Sequence, residues 1–250
     1  MPTVEMFFIT KSITNSITIN TPTAIITPSI VERLLGAYVH QDMKWKEHIL
    51  NNDDSLIKSL NRRAGAIKKI SKNASFKTRK MIANGLYMSK RIYLMPVWIG
   101  SEDYLVNALQ VNLNKVARLV TRLNIFTPTM VLMQQCGWMP VKHLMVYHSI
   151  VLLHKTLQTK SPSYLYQKVT SGTQQHNTRQ AEESRVADEA AGVLQQPCVD
   201  NSELDLCRSS WAWSSVKWYK QLPSSLKAEQ KLAKFKTALK SWVAENIDLN

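Results

Sequence analysis

Apolar residues recur at helical spacing along most of this chain. Leu56, Leu60, Ala64 and Ile67 follow one another at intervals of four, four and three residues, which places a single apolar stripe along a helix. This spacing predicts a helix over residues 44–70 that buries one side. The same pattern predicts further helices over residues 77–95, 104–122, 128–135, 140–157, 162–166 and 226–246.

The inward positions of the next helices follow from the same spacing. The helix over residues 77–95 is predicted to bury Met81, Met88, Ile92 and Met95. The following helix is predicted to bury Leu105, Leu109, Leu113, Val116 and Val120. Three amphipathic helices joined by short connections predict a small bundle. The helix over residues 140–157 is apolar nearly all round, so we expect it to be the most buried element.

Strand-like patterns occur only near the start of the chain. Short apolar or alternating runs occupy residues 6–10, 13–19, 24–26 and 34–39, separated by turn residues. They predict three or four short strands. Strands this short cannot enclose a core by themselves, so we expect another layer to cover them.

These patterns together predict a mainly α fold, with short N-terminal strands before a helical bundle and a separate C-terminal helix. We divide the chain into a strand region over residues 1–42 and a basic helical bundle over residues 43–168. A flexible linker rich in Gln, Ser and Glu is predicted over residues 169–207, and an aromatic helical segment over residues 208–250.

Basic residues are concentrated where acids are missing. The chain has a formal net charge of +14, and residues 55–101 contain eleven of its 32 Lys and Arg residues but no Asp or Glu. A charge run alone is typical of a solvated helix face, whereas a surface without interspersed acids attracts polyanions, which favours a nucleic-acid partner. The predicted phosphate contacts are Lys58, Arg62, Arg63, Lys69, Lys72, Lys77, Arg79, Lys80, Lys90 and Arg91.

The sequence argues against a membrane partner. The longest uncharged runs, residues 12–31 and 124–141, are rich in Thr, Asn, Gln and Pro, so neither suits a bilayer span. No secretory leader is recognisable at the N-terminus. Cys136, Cys198 and Cys207 lack a paired spacing, which indicates reduced thiols and an intracellular protein, nuclear or cytoplasmic.

Other candidate chemistry is weaker. His143, His148 and His154 are five and six residues apart, which does not suit zinc on one helix face, and no phosphate-binding glycine loop occurs. We therefore predict no metal site and no cofactor. The aromatic group around Trp211, Trp213 and Trp218 could stack on unpaired bases, but its spacing favours burial against the bundle.

Five short segments, different from one another, follow in order along the chain and together carry a family resemblance. They are Leu-Gly-Ala-Tyr-Val at 35–39 with Asp42 to Ile49, Tyr-Leu-Met-Pro-Val-Trp at 93–98, Asn-Lys-Val-Ala-Arg at 114–118, Gly-Trp-Met-Pro-Val at 137–141, and Leu-Pro at 222–223 with Phe-Lys-x-x-Leu-Lys-x-Trp at 235–242. The ordered set resembles LINE-type (non-LTR) retrotransposon reverse transcriptases downstream of the catalytic palm motifs. The resemblance implies the end of a palm, a thumb-like bundle and a C-terminal extension, which grip an RNA or RNA–DNA template–primer duplex.

The catalytic carboxylates of that family are missing from this sequence. RNA-directed DNA polymerases of this kind hold two divalent ions on a palm Asp and a paired-Asp hairpin. Asp53-Asp54 lies in a predicted helical stretch without a preceding strand, so we interpret it as solvated helix surface. We therefore expect no polymerase activity from this chain alone, with an upstream polymerase segment as a further partner.

The expected function is that of a nucleic-acid-binding fragment. The alternatives are a protein-interaction module that uses the aromatic C-terminal helix, with the bases serving solubility, and an inactive remnant of a mobile element.

Overall fold

Short strands come first in this chain and helices follow, so the predicted mainly α fold is confirmed. The computed structural model describes residues 19–20, 25–26, 29–70, 72–170, 194 and 210–247. The chain divides into two compact units. Unit 1 comprises residues 1–93 and 101–122, and unit 2 comprises residues 94–100 and 123–250.

The described strands of unit 1 form two antiparallel pairs. Strand β1 (Ile19–Asn20) pairs with β2 (Ile25–Ile26), and β3 (Val31–Leu34) pairs with β4 (Ala37–His40). The predicted strand over residues 34–39 instead folds back on itself, because Leu35 and Gly36 both have positive φ, 50° and 84°. Two consecutive positive φ values suit a tight hairpin turn, which Gly36 makes accessible. The strands predicted over residues 6–10 and 13–18 lie outside the described residues.

The helices of unit 1 begin with a π-helical turn, Glu47–Asn51, followed by α1 (Leu56–Ile70). The single helix predicted over residues 44–70 is therefore interrupted at residues 52–55. Next come α2 (Phe76–Ala83), a π-helical segment (Asn84–Met88), α3 (Ser89–Ile92) and, after a gap, α4 (Asp103–Thr121).

The core of unit 1 lies between α1 and α4. Helix α1 buries Leu56, Leu60 and Ile67, as its spacing predicted. All five inward positions predicted for α4 are fully buried. The burial of these positions therefore follows from the 3.6-residue periodicity of the two helices.

The continuous run α2–α3 buries Met88, as predicted, together with side chains that were not predicted to face inward. Met81, predicted to face inward, is 68% exposed, whereas Arg79, Ala83, Tyr87 and Arg91 are buried. The π-helical segment between α2 and α3 has wider turns, so residues four apart stay on one side through it. The prediction of Met81 was wrong because it assumed an uninterrupted α-helix.

Unit 2 is built around a long helix. A 3₁₀ turn (Met95–Trp98), α5 (Thr129–Cys136), α6 (Val141–Thr159) and α7 (Ser163–Thr170) precede α8 (Trp211–Lys220), α9 (Ser224–Lys227) and α10 (Leu232–Asn246). Helix α6 contacts the 3₁₀ turn, α7, α8 and α10. Its side chains are buried on several sides, as its nearly all-round apolar pattern predicted.

The four predicted regions do not coincide with the two units. The bundle predicted over residues 43–168 is shared between them, because Met95 and Trp98 bury their side chains in unit 2 while α4 belongs to unit 1. The helix at the C-terminus contacts α6. The predicted linker lies outside the described residues, except for Val169 and Thr170 at the end of α7 and for Leu194.

Candidate nucleic-acid interface

Positive charge is distributed unequally between the two units. Unit 1 contains 18 Lys and Arg residues and 8 Asp and Glu residues, whereas unit 2 contains 14 and 10. An excess of one sign over a compact unit produces a potential that attracts oppositely charged partners. Unit 1 is therefore the place to look for a polyanion site.

Three predicted contacts share one side of α1. Lys58, Arg62 and Lys69 are exposed, and at 100° per residue their positions fall within about 40° of one another. The buried stripe of α1 lies on the opposite side of the helix. These three bases therefore form one outward row, as the sequence predicted.

Acidic residues pair with the first half of this row. Lys58 Nζ lies 3.2 Å from Asp53 Oδ1, and Arg62 Nη2 lies 2.5 Å from Asp54 Oδ1. The hydrogen bond from Arg62 lowers the pKa of Asp54. The acidic pair lies in the turn before α1 and not within a helix as predicted. Exposed ion pairs of this kind are weak in water, so a phosphate can replace the carboxylate.

Four lysines follow at the other end of α1, and we call them the lysine cluster: Lys68, Lys69, Lys72 and Lys77. All four are exposed. Among the described residues, none has an Asp or Glu within ion-pair distance. They occupy the last turn of α1, its connection to α2 and the first turn of α2, so ten positions carry four unneutralised charges.

The end of α4 is tied to the same connection. Arg122 Nη2 donates to Lys72 O at 2.6 Å, and Arg79 donates to Val120 O at 2.7 Å and to Ala74 O at 2.6 Å. The bond to Val120 O satisfies a carbonyl at the C-terminal end of α4 that has no partner within the helix, and the other two bonds satisfy carbonyls of the connection between α1 and α2. Together they join the end of α4 to the segment that carries the lysine cluster. Arg122 is itself exposed and adds a base that the predicted contact set did not include.

Two predicted contacts are internal. Arg79 is 6% exposed and Arg91 is fully buried. Arg91 donates to Tyr87 Oη at 2.8 Å and to Leu109 O at 2.9 Å. Both guanidinium groups donate their hydrogen bonds to acceptors within the protein, so Arg79 and Arg91 are not among the proposed phosphate contacts. From sequence alone, the four-residue spacing of Arg79, Ala83, Tyr87 and Arg91 was the available signal.

The remaining predicted contacts are partly engaged. Arg63 Nη1 donates to Leu86 O at 2.8 Å, and Lys90 Nζ lies 5.7 Å from the centre of the Tyr93 ring. Lys80 is half-buried. These three bases add positive charge to unit 1, and Arg63 and Lys90 already contact other groups of the protein.

The histidines of unit 2 bond to the protein itself. His143 Nε2 lies 2.8 Å from Ile247 O, and His154 lies 3.1 Å from Glu229 O through Nε2 and 3.0 Å from Tyr219 Oη through Nδ1. Burial lowers the pKa of both histidines. Over the described ranges, no three His, Cys, Asp or Glu side chains are grouped so that they could hold a metal ion.

The aromatic segment at the C-terminus contributes to the core of unit 2. Trp211, Trp213 and Trp218 are half-buried. On α10, Phe235 and Leu239 are fully buried, and Phe235 stacks on His154 with 3.6 Å between ring centroids. The spacing of the three tryptophans favoured burial, and the structure shows only partial burial for them. None of the described helices combines the length and apolar character that crossing a bilayer requires.

Comparisons with known proteins yield no relatives for this chain: no family, no curated protein and no solved structure matches it.

Proposed function

We propose that unit 1 binds the phosphate backbone of a nucleic-acid duplex. The lysine cluster supplies the main contacts. Lys58 and Arg62, which share the outward row of α1 with Lys69, extend these contacts along the helix. Arg63, Lys80 and Lys90 add positive charge to the unit. The observation that carries this proposal is the exposure of four successive lysines without an acidic partner among the described residues.

Such a surface holds a duplex without reading its sequence. Lysine contacts to phosphates position the strand and release condensed counterions, whereas sequence is read at base edges. Binding should therefore weaken steeply with salt and depend little on sequence. Asp53 and Asp54 already occupy Lys58 and Arg62, so these two bases exchange one anion for another on binding.

The resemblance to LINE-type reverse transcriptases suggests the kind of duplex. We propose an RNA–DNA template–primer duplex, with the carboxylates for polymerisation supplied by a different segment. Trp45, Ile49 and Trp98, which belong to the resembling segments, are buried, so their pattern reflects packing in each unit. The genomic sequence upstream tests this ancestry: an in-frame strand with paired Asp residues supports it, and unrelated sequence counts against it.

The binding proposal is tested by titrating an RNA–DNA hybrid at several salt concentrations. We expect log K to fall linearly with log salt. Changing Lys69, Lys72 and Lys77 to Gln should reduce the slope by about 2 to 3, close to one per lost phosphate contact.

The matched control removes the same charge from unit 2. Lys155, Lys168 and Lys234 are exposed there, and their change to Gln should leave the slope nearly unchanged. A flat salt dependence of the unmodified protein, or equal effects of the two triple variants, would contradict binding through the lysine cluster.

The alternative of a protein-interaction module has less support. Its proposed binding helix, α10, buries Phe235, Leu239 and Val243 within unit 2. Deleting residues 208–250 would remove part of that core, so a deletion does not separate this alternative from loss of the fold.

Base stacking by the aromatic group is a separate alternative, and Trp218→Ala at a half-buried position tests it. Loss of nucleic-acid affinity in this variant would favour base stacking in unit 2 over phosphate binding in unit 1.

A further inference from the structure

A buried chain of hydrogen bonds crosses unit 1 from Arg91 to the surface of α1. Arg91 has no exposed surface, and its Nη1 donates to Tyr87 Oη at 2.8 Å. Tyr87 is likewise fully buried. An arginine side chain carries five N–H donors and no acceptor. The direction of the first bond in this chain is therefore fixed by chemistry.

The direction of each following bond is then determined. Because the Tyr87 oxygen accepts from Arg91, its proton goes to Asn112 Oδ1, 2.6 Å away. A reversed Asn112 amide would aim a second donor at Tyr87 and leave the hydroxyl proton without an acceptor, which is costly in the interior. Asn112 Nδ2 in turn donates to Asn61 Oδ1 at 2.6 Å.

The chain of hydrogen bonds ends at the side-chain amide of Asn61, and the buried Asn112 fixes the orientation of that amide. Asn61 is exposed on α1, and its Oδ1 is occupied by Asn112. Its Nδ2 donors consequently face outward, and within the described part of the chain they have no bonded acceptor. Without the chain, an exposed Asn amide could rotate and present either its oxygen or its nitrogen.

The surroundings of Asn61 are basic and open. Lys58 lies three residues before Asn61 and is its neighbour on the helix, whereas Arg62, the next residue, lies about 100° further around the axis. Both bases are paired with exposed carboxylates of the turn before α1, which a phosphate would displace. Gly65, four residues after Asn61, is exposed, and a Cβ placed there would meet no atom within 4 Å. A strand lying along the basic row could therefore approach the helix backbone at this point.

We propose that Asn61 donates a hydrogen bond from Nδ2 to a non-bridging phosphate oxygen of the bound strand, and that Arg91, through Tyr87 and Asn112, orients it for this contact. The inference rests on the proposed function and deepens it. A neutral donor releases no counterion, so Asn61 contributes to affinity without contributing to the salt slope. An amide turned the other way would present an oxygen to an anion.

The first test compares Asn61→Ala with Asn107→Ala, a change at another exposed asparagine of unit 1, on α4. RNA–DNA and DNA–DNA duplexes of two unrelated sequences serve as probes. We expect Asn61→Ala to weaken binding about three- to tenfold on every probe, the range of one hydrogen bond, with an unchanged salt slope. Asn107→Ala should bind like the unmodified protein.

The second test asks whether the buried chain orients Asn61. Tyr87→Phe removes the hydroxyl that fixes Asn112, so it should weaken binding about twofold or more in the parent protein and have no effect in the Asn61→Ala background. A purely structural role would produce the same loss in both backgrounds. Should Tyr87→Phe not fold, Asn112→Asp keeps the acceptor for the Tyr87 hydroxyl but removes the donor that holds Asn61 Oδ1, and it should weaken binding in the parent protein but not in the Asn61→Ala background.

The outcomes separate this inference from the proposed function. If the parent protein binds with a steep salt slope but Asn61→Ala binds equally well, the orientation of Asn61 has no role and only this inference fails. A loss confined to the probe with an RNA strand would overturn the phosphate contact in favour of a ribose hydroxyl. If the parent protein does not bind any probe, the proposed function fails first.

Discussion

Both units bury histidines, His48 in unit 1 and His143 and His154 in unit 2, but among the described residues only unit 1 also buries arginines. Unit 1 buries Arg79 and Arg91, which keep their charge over the whole range in which proteins fold. Unit 2 buries His143 and His154, whose neutral rings bond to backbone carbonyls. The interior of unit 1 therefore adds permanent positive charge to its field, whereas the polar interior of unit 2 is neutral and becomes unfavourable on protonation.

The difference shows that a basic sequence is not the same as a basic surface. In unit 1, two of the ten predicted contacts support the fold from inside, and the exposed ones lie on elements that these two hold in place. Arg79 and Arg122 connect the end of α4 to the segment that carries the lysine cluster. The buried bases of unit 1 thus stabilise its fold through internal hydrogen bonds, while its exposed bases are available to a partner.

The largest expected difference between the two units is the loss of unfolding free energy on acidification. Burial and nearby Lys236 lower the pKa of His148 to about 4, and burial also lowers those of His143 and His154. The unfolded chain binds these protons near pH 6.5 and the folded unit does not, so stability is present above about 6.5 and declines as the pH falls towards 4. His148 alone should cost unit 2 about 3 kcal/mol over that window.

Urea unfolding followed by tryptophan fluorescence measures this effect, because every tryptophan except Trp45 belongs to unit 2. His148→Gln should flatten the pH dependence. Burial and Lys90 also lower the pKa of His48 in unit 1 to about 4, so amide exchange in α1 should report a smaller decline there. An unfolding midpoint that does not change between pH 7 and pH 4.5 would refute the neutral interior of unit 2.

Removing the internal charge of unit 1 should have the next largest effect. Arg91→Met keeps much of the volume but leaves Tyr87 Oη and Leu109 O without their donor, so we expect a loss of roughly 2 to 3 kcal/mol of unfolding free energy. Amide hydrogen exchange in α4 measures it. Lys77→Met, the same change at an exposed base, should stay within about 0.5 kcal/mol. Equal stability of both variants would mean that the buried bonds contribute nothing net.

A smaller effect should come from Gly65, which distinguishes α1 from the glycine-free α6 of unit 2. Gly65 is exposed in the middle of α1 with open space at its Cβ position. Gly65→Ala should stabilise unit 1 by about 0.5 to 1 kcal/mol through helix propensity. Thermal unfolding detects this gain, and unit 2 should not change. A weaker affinity for duplex in the same variant would show that a strand approaches the helix there.

The smallest effect concerns the acidic pair at the start of α1. Asp54→Asn removes the carboxylate that occupies Arg62, so duplex affinity should rise about threefold and the salt slope should steepen by up to about 1. Asp42→Asn removes an exposed acid that contacts His40 and serves as the control. Unchanged binding in Asp54→Asn would indicate that Arg62 takes no part in the interface.

Much of the fold could be predicted from regular spacing. The stripes of α1 and α4 and the all-round burial of α6 follow directly from apolar periodicity. The prediction failed at Met81, where a π-helical segment changes the helical phase, and at residues 34–39, where Gly36 turns the chain. Both failures are local backbone choices that hydrophobic spacing does not record.

The candidate site was only partly predictable. Exposure of Lys58, Arg62 and Lys69 follows from their place opposite the buried stripe of α1. The burial of Arg91 and the selection of Asn61 do not, because they depend on which carbonyls, hydroxyls and amides of α1, the π-helical segment and α4 come within 3 Å of one another and of α3.

By itself, the order of residues determined a helical chain with an acid-free basic stretch. Helical periodicity and local charge composition can both be read from positions that are close together in the sequence. Only the tertiary structure decided that Arg79 and Arg91 are enclosed among described bases that otherwise reach solvent or lie half-buried. Hydrogen-bond partners from distant segments decide whether a long cationic side chain is cheaper to bury or to expose, and those partners meet only after the helices pack.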